Sequence, residues 1–153
     1  MWKEGINKRL LVPIFHGREH LNAQRWMRAL QAGNKLTRLA FEHQVTGVPH
    51  TRIEGENVPN FQAAFDIDTI KDLPYLKEVL QSGLDLFERL YGYRSHYFVP
   101  TNGPFNNSLE EDLYRLGVKY INTVKIQCEP LGGENTKPIS VFWGRKINGA
   151  NFT

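Results

Sequence analysis

The stretch from Ser95 to Ile121 constrains the fold more than any other part of the chain. Ser95 to Val99 reads as a short strand, and Pro100-Thr101-Asn102-Gly103-Pro104 as a turn. A helix follows, announced by Ser108 and Glu111 at the spacing of a capping box, with Leu109, Leu113 and Leu116 as its apolar face. Gly117 ends it, and Val118 to Ile121 opens another strand. Strand, turn, helix, glycine, strand is one crossover unit of a parallel sheet, so the chain is expected to be α/β with helices laid against mostly parallel strands.

The rest of the sequence is compatible with that architecture. Leu10-Leu11-Val12-Pro13-Ile14-Phe15 is a continuous apolar run, the pattern of a strand buried on both faces, although Pro13 restricts it to an edge, a bulge or a strand end. Helical spacing recurs from Leu21 to Ala32, closed by Gly33, and from about Lys35 to Gly47. The segment from His50 to Asn60 has no periodicity and reads as a loop. The longest helix is predicted between Asp72 and Tyr91, opening near Pro74 and closing at Gly92. A last strand is expected around Ile139 to Trp143. No repeat or linker divides residues 1–153, which are read as a single domain.

Composition removes several classes of function. Lys and Arg number 19 against 16 Asp and Glu, and the resulting +3 is too small and scattered to form a footprint for nucleic acid. No apolar run approaches the roughly 20 residues that a membrane span needs, and the N-terminus lacks the basic-then-apolar pattern of a signal peptide. Cys128 is the single cysteine, so any metal must be held by histidine and carboxylate.

His16-Gly17-Arg18-Glu19-His20 is where side chains of metal-ligand type stand at metal-ligand spacing. Two histidines four apart fall on the same side of a helical turn, so both imidazoles can converge on one ion, and this pair follows directly on a strand, where α/β folds place their sites. The plainer alternative is a strand-end histidine bonded to backbone beside a surface histidine. The same residues fit His-x-x-Glu-His, the signature of inverzincin peptidases. That reading needs a continuous helix, whereas an extended run precedes His16 and Gly17 lies inside the motif, where glycine costs a helix about 1 kcal/mol.

Taken with Gly92-Tyr93-Arg94-Ser95-His96-Tyr97-Phe98-Val99-Pro100-Thr101-Asn102-Gly103, the sequence resembles the polysaccharide deacetylase (NodB-homology, carbohydrate esterase 4) superfamily. The resemblance spans roughly His16 to Ile121, with residues 46–60 as a variable part. It implies a distorted (β/α) barrel and a divalent metal, often zinc, that serves to remove acetyl groups from N-acetylated sugars. Residue by residue, it implies His16 and His20 as metal ligands, Thr101, Asn102 and Gly103 on the substrate side, and a carbohydrate as partner.

Departures from the family pattern are equally specific. Val99 stands where the family has an arginine, Gly17 replaces Ser or Thr, and Leu21 replaces Pro. The aspartate pair and the general-acid histidine of the family have no counterpart, which suggests a catalytically silent carbohydrate-binding relative as the alternative. The length of 153 residues, set against about 250 for a closed (β/α) barrel, leads to the expectation of a partial barrel, an open sheet with an exposed edge and apolar surface.

Other candidates are weaker. Asp66 and Asp68 can complete a His/His/Asp set or charge the start of the long helix. Arg18 and Arg94 can meet a substrate, and His96 stands at a strand rim. His43 and His50 are assigned to helix surface and loop. Trp26, Trp143, Tyr93, Tyr97 and Phe98 suit a sugar-stacking cleft or a core equally well.

Overall fold

The computed structural model describes residues 2–46 and 60–141, and the backbone of 146–147 and 150–151. Its centre is the predicted crossover unit. Strand β1 (Tyr97–Phe98) pairs in parallel with β2 (Tyr120–Ile121), and Phe15 adds a third parallel partner by bridging to Phe98. The extended run therefore joins the sheet only at its last residue. All three chains alternate in step. Phe15, Phe98 and Ile121 are buried, whereas Ile14 and Tyr97, one position earlier, are exposed and Tyr120 is half-buried.

Helices cover the buried face. Helix α4 (Leu73–Tyr91) sends Leu76, Val79, Leu80, Leu84 and Phe87 into the core, a stripe three or four residues apart. Gly92, at φ 78°, supplies the left-handed C-cap that ends it. Helix α5 (Glu110–Arg115), between the paired strands in sequence, adds Leu113, and Leu109 packs beside it. Phe15, Phe65, Phe98 and Phe105 form a chain of edge-on and tilted ring contacts at the centre. Glycine at 83 is required by this packing, because a Cβ there would stand 2.9 Å from Cζ of Phe15.

Two shorter helices, α2 (Ala23–Gln31) and α3 (Lys35–Glu42), close a second small core around Trp26, Ala40 and Phe61. Each is capped by an asparagine whose side chain accepts a backbone N–H, Asn22 from Arg25 and Asn34 from Thr37. At the N-terminus α1 (Trp2–Asn7) buries no residue.

Several expectations need correction. The run from Leu10 to Ile14 is not buried on both faces. It enters the sheet only at Phe15, its start is tied back to α1 by bonds from the Leu10 and Leu11 N–H groups to the carbonyl of Gly5, and Leu10, Val12 and Ile14 are exposed. The helix after the turn is not capped by Ser108. Asn106 accepts the N–H of Ser108 and also its hydroxyl, while Glu111 pairs outward with Arg115. A capping box lies instead at Thr69 and Asp72, before α4.

Among the described residues parallel pairing is also confined to the central sheet. After β2 the chain forms an antiparallel hairpin, β3 (Ile126–Gly132) with β4 (Asn135–Ser140), turning at Gly132-Gly133. A further antiparallel pair joins β5 (Lys146–Ile147) to β6 (Ala150–Asn151). The expected strand at 139–143 is thus the tail of β4, and its last residues lie outside those described. The fold is a mixture of helix and strand with small sheets, and no closed barrel is formed among the described residues.

The β3–β4 hairpin is fastened to residues 105–107 by three hydrogen bonds. Buried Gln127 donates to the carbonyl of Phe105 at 2.7 Å, Asn106 donates to the carbonyl of Pro130 at 2.8 Å, and Glu129 accepts the N–H of Asn107 at 2.9 Å.

Candidate metal centre

Three segments meet at the C-terminal end of the parallel strands: residues 15–22 after the bridging strand, 61–66, and 98–103 after β1. Gly17 makes the first turn at φ 103°, with the ring of Phe65 3.0 Å from where a Cβ would be. A side chain there meets both strain and a clash. Asn22 then stitches this segment to its neighbour. Its N–H donates to the carbonyl of Phe61 at 2.7 Å, and its amide donates to the carbonyls of Ala63 and Asp66. On the other side, the Thr101 hydroxyl accepts the N–H of Ala64 at 3.0 Å.

This frame orients both histidines. Nδ1 of His16 lies 2.7 Å from the carbonyl of Val99, and Nδ1 of His20 lies 3.1 Å from the carbonyl of Gln62. A carbonyl only accepts, so each Nδ1 carries a proton, and a ring without a second proton presents a lone pair at Nε2. The two Nε2 atoms face each other at 3.1 Å. Bare lone pairs repel at that distance, and a proton or a cation between them removes the repulsion. A backbone carbonyl behind the second ring nitrogen is also how proteins orient metal-ligating histidines. The donor set therefore fits a borderline divalent ion such as zinc.

The segment carrying the pair is not helical, and Glu19 does not face the gap between the rings. Its carboxylate is held by Nε and a terminal nitrogen of Arg18, which also donates to the Ser82 hydroxyl at 2.8 Å. An inverzincin site needs a helix and a glutamate free to act on water, and neither is present here.

The remaining candidates are dispersed or committed elsewhere. Asp66 and Asp68 are bound by Arg25, and Asp68 and Asp72 by Arg28, so they tie α2 to the start of α4 rather than complete a ligand set. Burial pushes the Asp68 carboxyl up, but hydrogen bonds and charge from Arg25 and Arg28 outweigh it and hold the group below its ordinary value. Arg94 donates to the carbonyl of Leu116 and pairs with Asp85 and Glu88. His96 precedes β1, at the opposite end of the strand, and its Nδ1 bonds the carbonyl of Gly117. His43 caps α3, and His50 and Trp143 lie outside the described residues.

In the turn after β1, Thr101 is buried, with its hydroxyl accepting from Ala64. Asn102, at φ 55°, and Gly103 form the crest, closed by a bond from the Gly103 N–H to the carbonyl of Pro100. Asn102 is exposed. Of the aromatic candidates, Trp26 and Phe98 are core residues, Tyr93 donates to the carbonyl of Pro13, and Tyr97 stacks on Tyr120 at 4.7 Å. The carbonyls of Val99 and Gln62, which aim the two rings, belong to the backbone and leave no side-chain signature in a sequence.

No family model, curated protein or solved structure matches the chain. Among the described residues no three His, Cys, Asp or Glu side chains gather into one group, and no helix is long and apolar enough to cross a membrane.

Proposed function

We propose that the protein is a carbohydrate-active, metal-dependent hydrolase of the polysaccharide-deacetylase type, built on part of a (β/α) barrel. His16 and His20 are two of the metal ligands, and the crest at Asn102 and Gly103 is the substrate side. The observation that supports this reading is the 3.1 Å approach of the two Nε2 atoms, each ring held from behind by a carbonyl. A bound divalent ion would polarise an amide carbonyl and activate water. The chain's own part is to fix both imidazoles in the Nδ1-protonated tautomer before any ion arrives, so that little ordering remains to be done on binding.

A second reading, a carbohydrate-binding relative that keeps a metal but lacks the acid/base pair, is favoured by the want of a third ligand side chain among the described residues. One set of measurements separates the two. Zinc titration of the purified chain is expected to give one ion per chain, lost in both His16→Ala and His20→Ala. Equal binding by wild type and both variants, or none by any, removes the metal from either reading. Release of acetate from N-acetylglucosamine oligomers by the zinc-loaded chain supports the hydrolase. Zinc binding with no acetate released supports the silent relative.

A further inference from the structure

The carbonyls that aim the two histidines are carried by separate segments, and one side chain joins those segments. Val99, whose carbonyl lies 2.7 Å from Nδ1 of His16, stands two residues before Thr101. Gln62, whose carbonyl lies 3.1 Å from Nδ1 of His20, stands two residues before Ala64. The Thr101 hydroxyl accepts the N–H of Ala64 at 3.0 Å, and no other hydrogen bond connects 98–103 to 61–66 among the described residues. With the 3.1 Å approach of the two Nε2 atoms, these contacts close a ring through His16, Val99, Thr101, Ala64, Gln62 and His20.

Asn22 grips the same ring from the other side. Its N–H donates to the carbonyl of Phe61, and its amide to those of Ala63 and Asp66. Three successive carbonyls, at 61, 62 and 63, are thus engaged by His20 and Asn22, and the middle one is the group that aims a histidine. Thr101 is 1% exposed and Asn22 5%, and the polar side-chain atoms of both are bonded to main chain. Any effect they have on the pair therefore passes through the backbone that carries the two carbonyls. Ligands of a metal work only when held within roughly 0.5 Å of the productive arrangement, and the groups behind them do the holding.

We propose that Thr101 and Asn22 are positioning residues of the histidine pair, acting through the carbonyls of Val99 and Gln62. This inference rests on the reading of His16 and His20 as metal ligands. It assigns the buried hydroxyl of Thr101 to the metal side of the turn, and leaves Asn102 and Gly103 as the crest.

Competition titration with zinc, and the visible absorption spectrum of the cobalt-loaded chain, test it. Thr101→Val is expected to bind zinc about tenfold more weakly and to shift the cobalt bands, and Thr101→Ser, which restores the acceptor, to return both to wild type. Asn34→Ala removes the cap of α3, a loss of stability elsewhere, and should change neither. If Thr101→Val does not fold, Asn22→Ser carries the test: serine still caps α2 but lacks the amide, and the same tenfold loss is expected. Zinc binding that is lost in His16→Ala but unchanged in Thr101→Val, or in Asn22→Ser where that variant carries the test, overturns the positioning role and leaves the metal reading standing. Failure of Thr101→Ser to restore the site, or an equal loss in Asn34→Ala, overturns it as well. A wild type that binds neither zinc nor cobalt removes both the metal reading and this inference.

Discussion

Nε2 of His16 and Nε2 of His20 face each other at 3.1 Å, and the opposite nitrogen of each ring is spent on a main-chain carbonyl. In the proposed metal site these two nitrogens would be the paired donors. Their rings meet at 63°, with centroids 4.9 Å apart, so the lone pairs converge while the rings avoid stacking.

Such a donor should make metal a folding ligand. At a free zinc concentration of about 100 times the dissociation constant, the ion adds about 2.7 kcal/mol of stability, or roughly 5–10 °C in Tm for a chain of this size. Thermal denaturation with zinc and then with chelator should show that difference in wild type. Neither His16→Ala nor His20→Ala should show it.

Gly83→Ala tests how closely α4 approaches the strand that leads to His16. The new Cβ would stand 2.9 Å from Cζ of Phe15, a buried ring, and 3.0 Å from Cβ of Arg18. Overpacking of about 1–3 kcal/mol should exceed the roughly 1 kcal/mol gained in helix propensity. Urea denaturation is expected to show a net loss. An increase in stability would mean that the helix and strand are farther apart than described.

Thr101→Val should destabilise the protein by about 1–3 kcal/mol, since it leaves the buried N–H of Ala64 without an acceptor. Asn102→Gly, one residue on, should be neutral or slightly stabilising, because φ of 55° suits glycine. Equal effects at the two positions would contradict the division of this turn into a buried tie and an exposed crest.

Asp68 predicts an acid-dependent loss of stability. Its carboxyl is held below the ordinary value, so the stabilisation is complete above about pH 4, the ordinary aspartate range, and disappears as pH falls through the lower folded value. Its side chain is 32% exposed, so solvent screening limits the contribution to about 1 kcal/mol. Asp68→Asn should cost that amount at neutral pH and progressively less as the pH falls below the ordinary aspartate range. A difference that persists in acid would argue for packing rather than charge.

Where the sequence could be read, it was read through local chemistry. The crossover unit was legible because a capped helix between two apolar runs repeats rules that act within a few residues. Gly33, Gly92 and Gly117 end their helices at positive φ for the same reason. Ser108 misled because Asn106, two residues earlier, is an equally good cap, and only the docking of Asn106 on Pro130 decides between them. The β3–β4 hairpin went unread, although Gly132-Gly133 marks its turn, because its strands alternate weakly and its stability comes from contacts with residues 105–107.

The candidate site divides along the same line. Residue types and spacing by themselves determined that His16 and His20 can share one ion if the chain turns between them, and Gly17 at φ 103° makes that turn without a helix. Only tertiary structure decided that they converge, because the groups that aim them are carbonyls 83 and 42 residues away. It likewise decided that Asp66 and Asp68 serve Arg25 and Arg28. Hydrophobicity placed Leu10 to Ile14 in a sheet, but whether an apolar strand is covered depends on what lies beside it in space, and a one-dimensional pattern does not hold that information.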